Sequence, residues 1–305
     1  MSASSPAPGA DRHVSERGAS GNADASLWWQ AVPSLVGERL GVIGNFSADT
    51  ERATLAVLRS GEAVLRAHGC TLAVGPMDGN TWRRHRFVTE PGEEPPFFLE
   101  PSNPSSWPMW WRGANYTPLA EYYSTATDNL DDRDVRLTQV ATRIKATGVI
   151  IRSINAGDFE AELSRIYDVS VTAFQSNYLY TPLAKDEFIA QYRMIRDRLS
   201  PELVLLAEHG GRAVGYVFAT PDYVQATRQQ PATTFIVKTL AVLPGRAYAG
   251  LGALLLGEVH VSARALGFKR AIHALMHETN QSRNLSAHYA STIRRYALFS
   301  KRLAS

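Results

Sequence analysis

Residues 234–268 constrain the fold most, because they contain a strand pattern, a glycine-rich turn and a helix pattern in direct succession. The first part is apolar and β-branched, which predicts a buried strand ended by Pro244. The turn that follows, GRAYAGLG, contains three glycines. An apolar helical pattern begins at Ala253 and runs to about residue 266, and Gly267 predicts its C-cap.

A glycine-rich turn between a strand and a helix brings unpaired backbone N–H groups and the positive end of the helix dipole to one point. A phosphate or pyrophosphate group fits such a point, and glycines leave room for it. The pattern is equally compatible with a tight turn that only packs against the sheet, so the flanking residues must decide between the two.

The flanking residues are Val242 and Pro244 before the turn and Arg246 within it. Together with the last two glycines they resemble the acetyl-CoA motif of the GNAT family of N-acetyltransferases, V-x-P-x-x-R/Q-x-x-G-x-G/A. One departure is that Arg246 lies one residue before the basic position of that motif, where this chain has Ala247.

The resemblance implies the roles of the cofactor-binding residues. The strand backbone would bind the pantetheine and orient the thioester carbonyl, and the turn would surround the pyrophosphate. Asn280 resembles the contact of the family with the CoA side chain, although it is also a suitable helix cap. The predicted cofactor-binding residues are Leu240, Ala241, Val242, Arg246, Ala247, Tyr248, Ala249, Gly250, Leu251, Gly252, Ala253 and Asn280.

The residues for proton transfer are less well marked. Many GNAT enzymes carry an acidic residue on the cofactor strand, but here Lys238 stands near its place. Asp222 is a candidate to relay a proton through water, and a loop-turn role for its Pro-Asp pair is the alternative.

GNAT enzymes often place a tyrosine seven residues after a helix-start asparagine, where its hydroxyl can protonate the leaving CoA thiolate. Counting from Asn280 reaches Ala287, and His288 and Tyr289 follow. We therefore predict Tyr289, or else His288, as the acid, against a packing role for Tyr289.

The wider pattern from about residue 148 is strand, two helices, hairpin, strand, helix, strand, helix, strand, which matches a whole GNAT domain. Residues 40–80 repeat the strand, loop, helix and strand order without a glycine turn. The chain thus resembles the bacterial tandem GNAT-like proteins, whose substrates are poorly defined. This predicts an α/β fold with a mixed central sheet flanked by helices, in which a degenerate GNAT-like half precedes the GNAT domain.

The predicted domains are a disordered tail over residues 1–26, a degenerate half over 27–147 and an acetyltransferase domain over 148–305. The tail is expected to be disordered because it has almost no large apolar side chains to offset the entropy of ordering.

The formal net charge of +3 is too small to predict nucleic-acid binding. A single cysteine, Cys70, excludes an internal disulfide and suits a reducing cytoplasm, and the chain has no Cys/His cluster that predicts a metal. It contains no apolar run near the ~18 residues that span a membrane, so we expect no membrane partner. The basic residues near the C-terminus indicate either a solvated edge or an anion site; they are Arg283, Arg294, Arg295, Lys301 and Arg302.

A block of aromatic side chains precedes the second half. Such a density is typical of a core or an interface, with a substrate wall as the alternative. Its members are Trp107, Trp110, Trp111, Tyr116, Tyr122 and Tyr123. His273 lies on an apolar strand and is predicted to be a hydrogen-bonded core residue.

These features favour an acetyl-CoA-dependent N-acyltransferase that acts on a small amine between the two halves. A non-catalytic CoA-binding module is the alternative, because the acid on the cofactor strand is missing. A tRNA-dependent aminoacyltransferase is a third reading, and the retained glycine turn argues against it.

Overall fold

The computed structural model describes residues 6–19, 21–131, 136–229, 232–279 and 290–303. The strands are β1 Arg12–Glu16, β2 Ala23–Trp28, β3 Leu40–Ala48, β4 Leu72–Gly75, β5 Phe87–Glu90, β6 Thr117–Thr127, β7 Ile150–Ser153, β8 Val204–His209, β9 Arg212–Pro221, β10 Thr234–Val242, β11 Arg270–His277 and β12 Ser291–Arg302. The helices are α1 Glu51–Ala67, α2 Ser106–Gly113, α3 Arg136–Ala146, α4 Phe159–Ala173, α5 Lys185–Arg193, α6 Tyr223–Thr227 and α7 Leu251–Ala265. None of these helices is long and apolar enough to cross a membrane.

The described strands form one mixed sheet in the order β1-β2-β3-β4-β12-β6-β11-β10-β9-β8-β7, with β5 paired to β12. β3 runs parallel to β4, and β10 runs parallel to β11, each around a connecting helix. The neighbours β2 and β9 are antiparallel to β3 and β10. The predicted mixed sheet, with a strand, helix and strand unit in each half, is therefore confirmed.

The connecting helices α1 and α7 pack on the sheet through apolar residues at helical spacing. α1 buries Val57, Leu58 and Leu65 in the first half, and α7 buries Leu255 and Val259 in the second. Burying one such side chain contributes about 1.5–3 kcal/mol to folding. Each helix thus fixes the strand before it and the strand after it, which sets the position of the turn between them.

The last strand of each half lies beside the sheet of the other half. β12, at the C-terminus, pairs with β4 of the first half, while β6 of the first half pairs with β11 of the second. β6 and β12 also pair with each other at the centre. Because of this exchange, each half takes one strand of its sheet from beyond the predicted boundary at residue 148.

The predicted disorder of residues 1–26 is wrong for the described part of that segment. β1 pairs with β2 over Arg12–Glu16, and every residue of β2 is buried. β2 packs closely against α1: a Cβ added to Gly61 of the helix would lie 3.2 Å from the Leu27 side chain of the strand. The small side chains of β2 permit this close packing. The buried Asp24 is paired with Arg17 at 2.7 Å. A count of large apolar residues misses a strand that is buried through alanine and serine.

The segment that follows β9 begins with a short helix, because α6 covers Tyr223–Thr227. α5 ends at Arg193, and a 3-10 turn follows over Arg196–Arg198.

The basic residues near the C-terminus form ion pairs with acids of the rest of the chain. Arg294 is buried and lies 2.7 Å from Glu100, with 3% and 2% of the two side chains exposed. The other pairs are Arg295–Glu278, Lys301–Glu62 and Arg302–Glu38. β12 is thus bound to the first half by charge as well as by backbone hydrogen bonds, and Arg283 lies outside the described residues.

Candidate active site

The glycine turn and the start of α7 form an open cluster of backbone donors. Gly250 is the N-cap of α7 and has φ 83°, in the left-handed region that favours glycine. No side chain among the described residues caps this helix, and its first turn contains no acid. The N–H groups of the first helical turn need partners from outside the helix. This point of the structure is therefore suited to a phosphate or pyrophosphate.

The two strands beside this turn separate from each other. Parallel pairing of β10 with β11 ends at Val237 and His273, although β10 continues to Val242 and β11 to His277. The register of β10 also shifts between Val237 and Thr239 on its other side. Within the described residues, the β11-facing edge of residues 238–242 has no strand partner. The backbone of Leu240, Ala241 and Val242, which we predicted to bind pantetheine, thus lines an open cleft.

The corresponding cleft of the first half is closed. Parallel pairing of β3 with β4 ends at Val42, but the chain after β4 turns back onto β3 and the Met77 N–H donates to the Ile43 oxygen at 2.9 Å. Asp78 accepts from the Asn45 N–H at 2.5 Å. A Cβ on Gly44 would lie 2.0 Å from the Met77 oxygen, so the two segments touch directly. A pantetheine arm cannot enter between them.

The start of α1 is also unsuited to binding a phosphate. The Thr50 side chain caps the helix by accepting from the Ala53 N–H at 3.1 Å, and Glu51 places a carboxylate in the first turn. A capping hydroxyl uses one of the helix donors, and a carboxylate at this end repels a phosphate. The cleft and the helix start together distinguish the second half as the one that can bind a nucleotide phosphate.

Helix α3, which connects the two halves, contacts the glycine turn. The Arg143 guanidinium donates to the Ala249 oxygen, and a Cβ on Gly250 would lie 2.9 Å from Val140. Gly250 is thus required by close packing as well as by its backbone conformation. Arg143 was missed by the sequence analysis because its helix lies more than 100 residues earlier in the chain, and it adds the positive charge that the displaced Arg246 was expected to supply.

A cluster of polar and aromatic side chains lies where the two halves meet. Arg86 of the first half donates to the Leu275 oxygen on β11 at 3.3 Å, and its guanidinium lies 3.9 Å from the centre of the Tyr122 ring. The His85 and His277 rings each lie roughly perpendicular to the Tyr122 ring, with ring centres 5.9 and 4.9 Å from it. Tyr122, one of the aromatic block, therefore contacts Arg86, His85 and His277 where the two halves meet, a region that we call the junction. Trp111 and Tyr116 of the same block are core residues.

The two histidines of this cluster are held neutral. His85 Nδ1 lies 2.9 Å from the Arg83 carbonyl oxygen, which can only accept, so Nδ1 carries the proton and Nε2 accepts from Arg86. Burial, and then the charge of Arg86, hold the pKa of His85 well below its usual value. The same two causes, in the same order, lower the pKa of His277.

Lys238 lies at the irregularity of β10, directly after Val237, where parallel pairing with β11 ends. Its ammonium donates to the Leu99 oxygen at 3.2 Å. Burial and the nearby charge of Arg86 lower the pKa of Lys238 to about 7, although Glu100 opposes that shift. A lysine with this pKa holds substantial fractions of both the charged and the neutral form near pH 7.

Both carboxylate oxygens of Glu100 accept hydrogen bonds from neighbouring groups. It accepts from Tyr296 at 2.5 Å, from Arg294 at 2.7 Å and from the Phe97 N–H at 3.2 Å. Tyr296 in turn is hydrogen-bonded to Ser124 at 3.0 Å. Burial raises the pKa of Glu100, while the hydrogen bonds and the Arg294 charge oppose the shift. This hydrogen-bond network holds Glu100, Arg294 and Tyr296 together beside the junction.

The segment between α4 and α5, together with the start of α5, contacts the first half. The Trp82 indole donates to the Thr181 oxygen at 2.7 Å, and Arg83 is paired with Glu187 at 2.6 Å. Leu179 is buried in the core of the first half. The first half thus contributes directly to the space beside the open cleft.

Of the three predicted catalytic residues, the structure describes Asp222. Asp222 is buried at the end of β9, and one of its oxygens accepts from the Phe98 N–H at 2.9 Å and from the Val224 N–H at 3.2 Å. These bonds anchor the segment that carries Glu100, while Pro221 pairs with Phe235 at the end of β10 remote from the glycine turn. The catalytic role of Asp222 stays a prediction. Asn280, His288 and Tyr289 lie outside the described residues.

His273 is a buried side chain, as predicted. Its ring stacks on that of His260 from α7, with Nε2 atoms 3.3 Å apart. Among the described residues, no group of three His, Cys, Asp or Glu side chains is placed to hold a metal ion.

Comparisons with known proteins agree with this geometry. Residues 163–289 match the acetyltransferase (GNAT) family. A bacterial ceramide synthase from Caulobacter vibrioides is 24% identical over 199 residues, which are 65% of this chain and 52% of that protein. The chain thus spans about half the length of that relative.

Two solved structures share the fold. A GCN5-related N-acetyltransferase from Sphaerobacter thermophilus has a TM-score of 0.52 and 15% identity, over 93% of this chain and 77% of that one. A tandem GNAT protein from the clavulanic acid biosynthesis pathway has a TM-score of 0.50 and 10% identity, over 98% and 86% of the two chains.

Proposed function

We propose that this chain, which belongs to the GNAT superfamily of acyltransferases, transfers the acetyl group of acetyl-CoA to the amine of a small molecule. The observation that carries the proposal is the contrast between the two halves. The cleft between β10 and β11 is open next to an uncapped helix start, while the cleft between β3 and β4 is closed next to a capped one.

The residues present fit the parts of CoA in order along the cleft. The N–H groups at the start of α7 and the Arg143 guanidinium suit the pyrophosphate. The free edge of Leu240, Ala241 and Val242 suits the pantetheine amides, and backbone N–H groups in the cleft would polarise the thioester carbonyl. The acceptor amine would then approach from the junction that holds Arg86 and Lys238.

Amide formation releases a proton from the attacking amine and needs one on the departing thiolate. Lys238, with its pKa lowered to about 7, is the titratable side chain on the cofactor strand at the cleft. Tyr289 or His288 remains the proposed acid. A cytoplasmic setting is part of the proposal, since Cys70 is the one cysteine of the chain and is buried and free.

A non-catalytic CoA-binding module is the second candidate. It is favoured by one observation, that a lysine stands where many relatives carry an acidic residue. Such a module would bind CoA in the same cleft without turnover.

Incubation of the purified chain with acetyl-CoA and a panel of amines, followed by mass spectrometry of the products, separates the two candidates. Transfer of 42 mass units to an amine (about the mass of an acetyl group less one hydrogen) together with CoA release supports the enzyme. CoA binding without product supports the module. The panel should include acyl-CoA donors of increasing chain length, because one relative is named for ceramide synthesis.

A further inference from the structure

Arg86 is a cation without a carboxylate partner among the described residues. Its Nη1 donates to the Leu275 carbonyl and its Nη2 to the neutral His85 ring, while its Nε is buried without a hydrogen-bond partner. Burial lowers the pKa of Arg86 to about 10, and the groups that oppose this shift are two tyrosines, Tyr122 and Tyr296. Placing a cation in a low-dielectric site is costly unless an anion compensates it.

A second cation lies beside the first. Lys238 follows Val237, which forms the last parallel pair with His273, and Leu275, which Arg86 contacts, lies two residues beyond His273. The charge of Arg86 also lowers the pKa of Lys238, whose ammonium donates to the neutral Leu99 oxygen. Two like charges at one partly buried site repel each other. The arrangement is therefore stabilised when a negative group binds between them.

Glu100, the carboxylate whose charge acts on Lys238, does not supply that negative group. Glu100 is engaged by Arg294, Tyr296 and the Phe97 N–H, and 2% of its side chain is exposed. Its ion pair is with Arg294, and although its charge raises the pKa of Lys238, it makes no hydrogen bond or ion pair with Lys238 or Arg86 among the described residues. The Arg86 and Lys238 pair thus keeps an excess of positive charge toward the junction.

The position of this pair indicates which part of the reaction it serves. Arg86 reaches the β11 edge of the cleft at Leu275, and Lys238 lies on the β10 edge at the point where the two strands separate. The glycine turn lies at the far end of the β10 segment, beyond Val242. The pair is therefore placed beside the acyl end of the cofactor and apart from its phosphates.

We propose that Arg86 and Lys238 form a carboxylate-binding subsite, so that the acceptor of this enzyme is a small amine that also carries a carboxylate, as an amino acid does. This inference rests on the proposed function. The planar guanidinium binds a carboxylate through paired hydrogen bonds, and the aromatic face of Tyr122 holds it in orientation. Anchoring the acid group at the junction leaves the amine directed into the cleft.

The test compares matched acceptors with the full chain and acetyl-CoA. Glycine, phenylalanine and glutamate are each assayed as the free acid and as the α-amide. Wild-type protein is expected to favour the acids by tenfold or more in kcat/KM. Arg86→Gln should lower kcat/KM for the acids by about 10- to 100-fold, the scale of a hydrogen bond to a charged group, and change the values for the amides by less than about threefold.

Lys238→Met provides a second variant in case Arg86→Gln impairs folding, and Arg59→Gln, on the exposed side of α1, is the matched control that should change neither series. Circular dichroism and the melting temperature establish that each variant is folded. Equal rates for acids and amides in the wild type would overturn the subsite. An equal loss for both series in Arg86→Gln would overturn it as well. Lys238→Met is judged by its loss of N-acetylglycine binding, because the proton role proposed for Lys238 would slow both series.

A binding measurement separates this inference from the proposed function. The CoA-loaded chain is titrated with N-acetylglycine and with N-acetylglycinamide. Tighter binding of the acid, lost in Arg86→Gln, supports the subsite even if no amine is acetylated. Acetylation of amides with no preference for the acid would leave the acyltransferase proposal standing and refute the carboxylate subsite.

Discussion

Replacement of Gly252 by aspartate should separate the cofactor site from the stability of the fold. Gly252 lies in the first turn of α7, where a bound pyrophosphate would meet the N–H groups of the helix start. An aspartate there adds a negative charge about 5 Å from the expected phosphate. At an effective dielectric constant of about 20, two unit charges at that distance repel by about 3 kcal/mol, which is roughly a 100-fold loss of affinity.

The same change should not lower the free energy of unfolding of the protein without CoA. An acid in the first turn of a helix is favourable by about 0.3–1 kcal/mol, and glycine is a poor helix former. We therefore expect the free energy of unfolding of Gly252→Asp to equal or exceed that of the wild type. The affinity for CoA and the stability of the fold should thus change in opposite directions.

Calorimetric titration with CoA and urea unfolding measure these two quantities. Gly252→Asn is the matched control, because it has nearly the same size without the charge and should bind CoA with most of the wild-type affinity. Aspartate and asparagine variants that lose affinity equally would show that bulk is responsible. An aspartate variant with undiminished affinity would refute the placement of the pyrophosphate at α7.

Three further predictions concern the acid, the pH response and the closed cleft. Tyr289→Phe should lower kcat by about 100-fold with CoA affinity unchanged, and an unaltered kcat would indicate packing. Burial lowers the pKa of His260 to about 4. Burial, together with the charge of His260, lowers the pKa of His273 to about 3. Below about pH 6.5 the unfolded chain therefore binds more protons at these two histidines than the folded chain does. Urea unfolding should show full stability above that pH and a decline toward pH 4, flattened in a His260→Leu, His273→Leu variant. Gly44→Ala should cost about 1–3 kcal/mol or more, since its Cβ would lie 2.0 Å from a backbone oxygen, whereas Gly257→Ala meets an ordinary 3.5 Å contact and should cost nothing. Equal melting temperatures for these two alanine variants would contradict the closed cleft.

The parts of the fold that depend on local pattern are visible in the sequence. The strand, glycine turn and helix over residues 234–268 predict β10, the turn and α7, because alternation, turn residues and helical spacing act over short distances. The degenerate repeat in the first half follows from the same reasoning. The absence of a glycine turn there also predicts that the first half lacks a phosphate site, although the pattern does not reveal the direct contact between Gly44 and Met77.

The parts that depend on pairing across the chain are not visible. The pairing of β6 with β12 joins segments more than 160 residues apart, and periodicity contains no information about which strand lies beside which. Arg143 reaches the glycine turn from 106 positions away, and Arg86 reaches Leu275 from 189 positions away. For that reason the sequence identifies the cofactor strand and turn but not the cationic pair at the junction.

Calorimetric titration of the full chain with CoA tests the central claim most directly. One open cleft and one closed cleft predict a single CoA per chain, bound with an affinity that Gly252→Asp reduces. Binding of two CoA molecules would show that the first half is open as well, and the absence of binding would contradict the cofactor site itself.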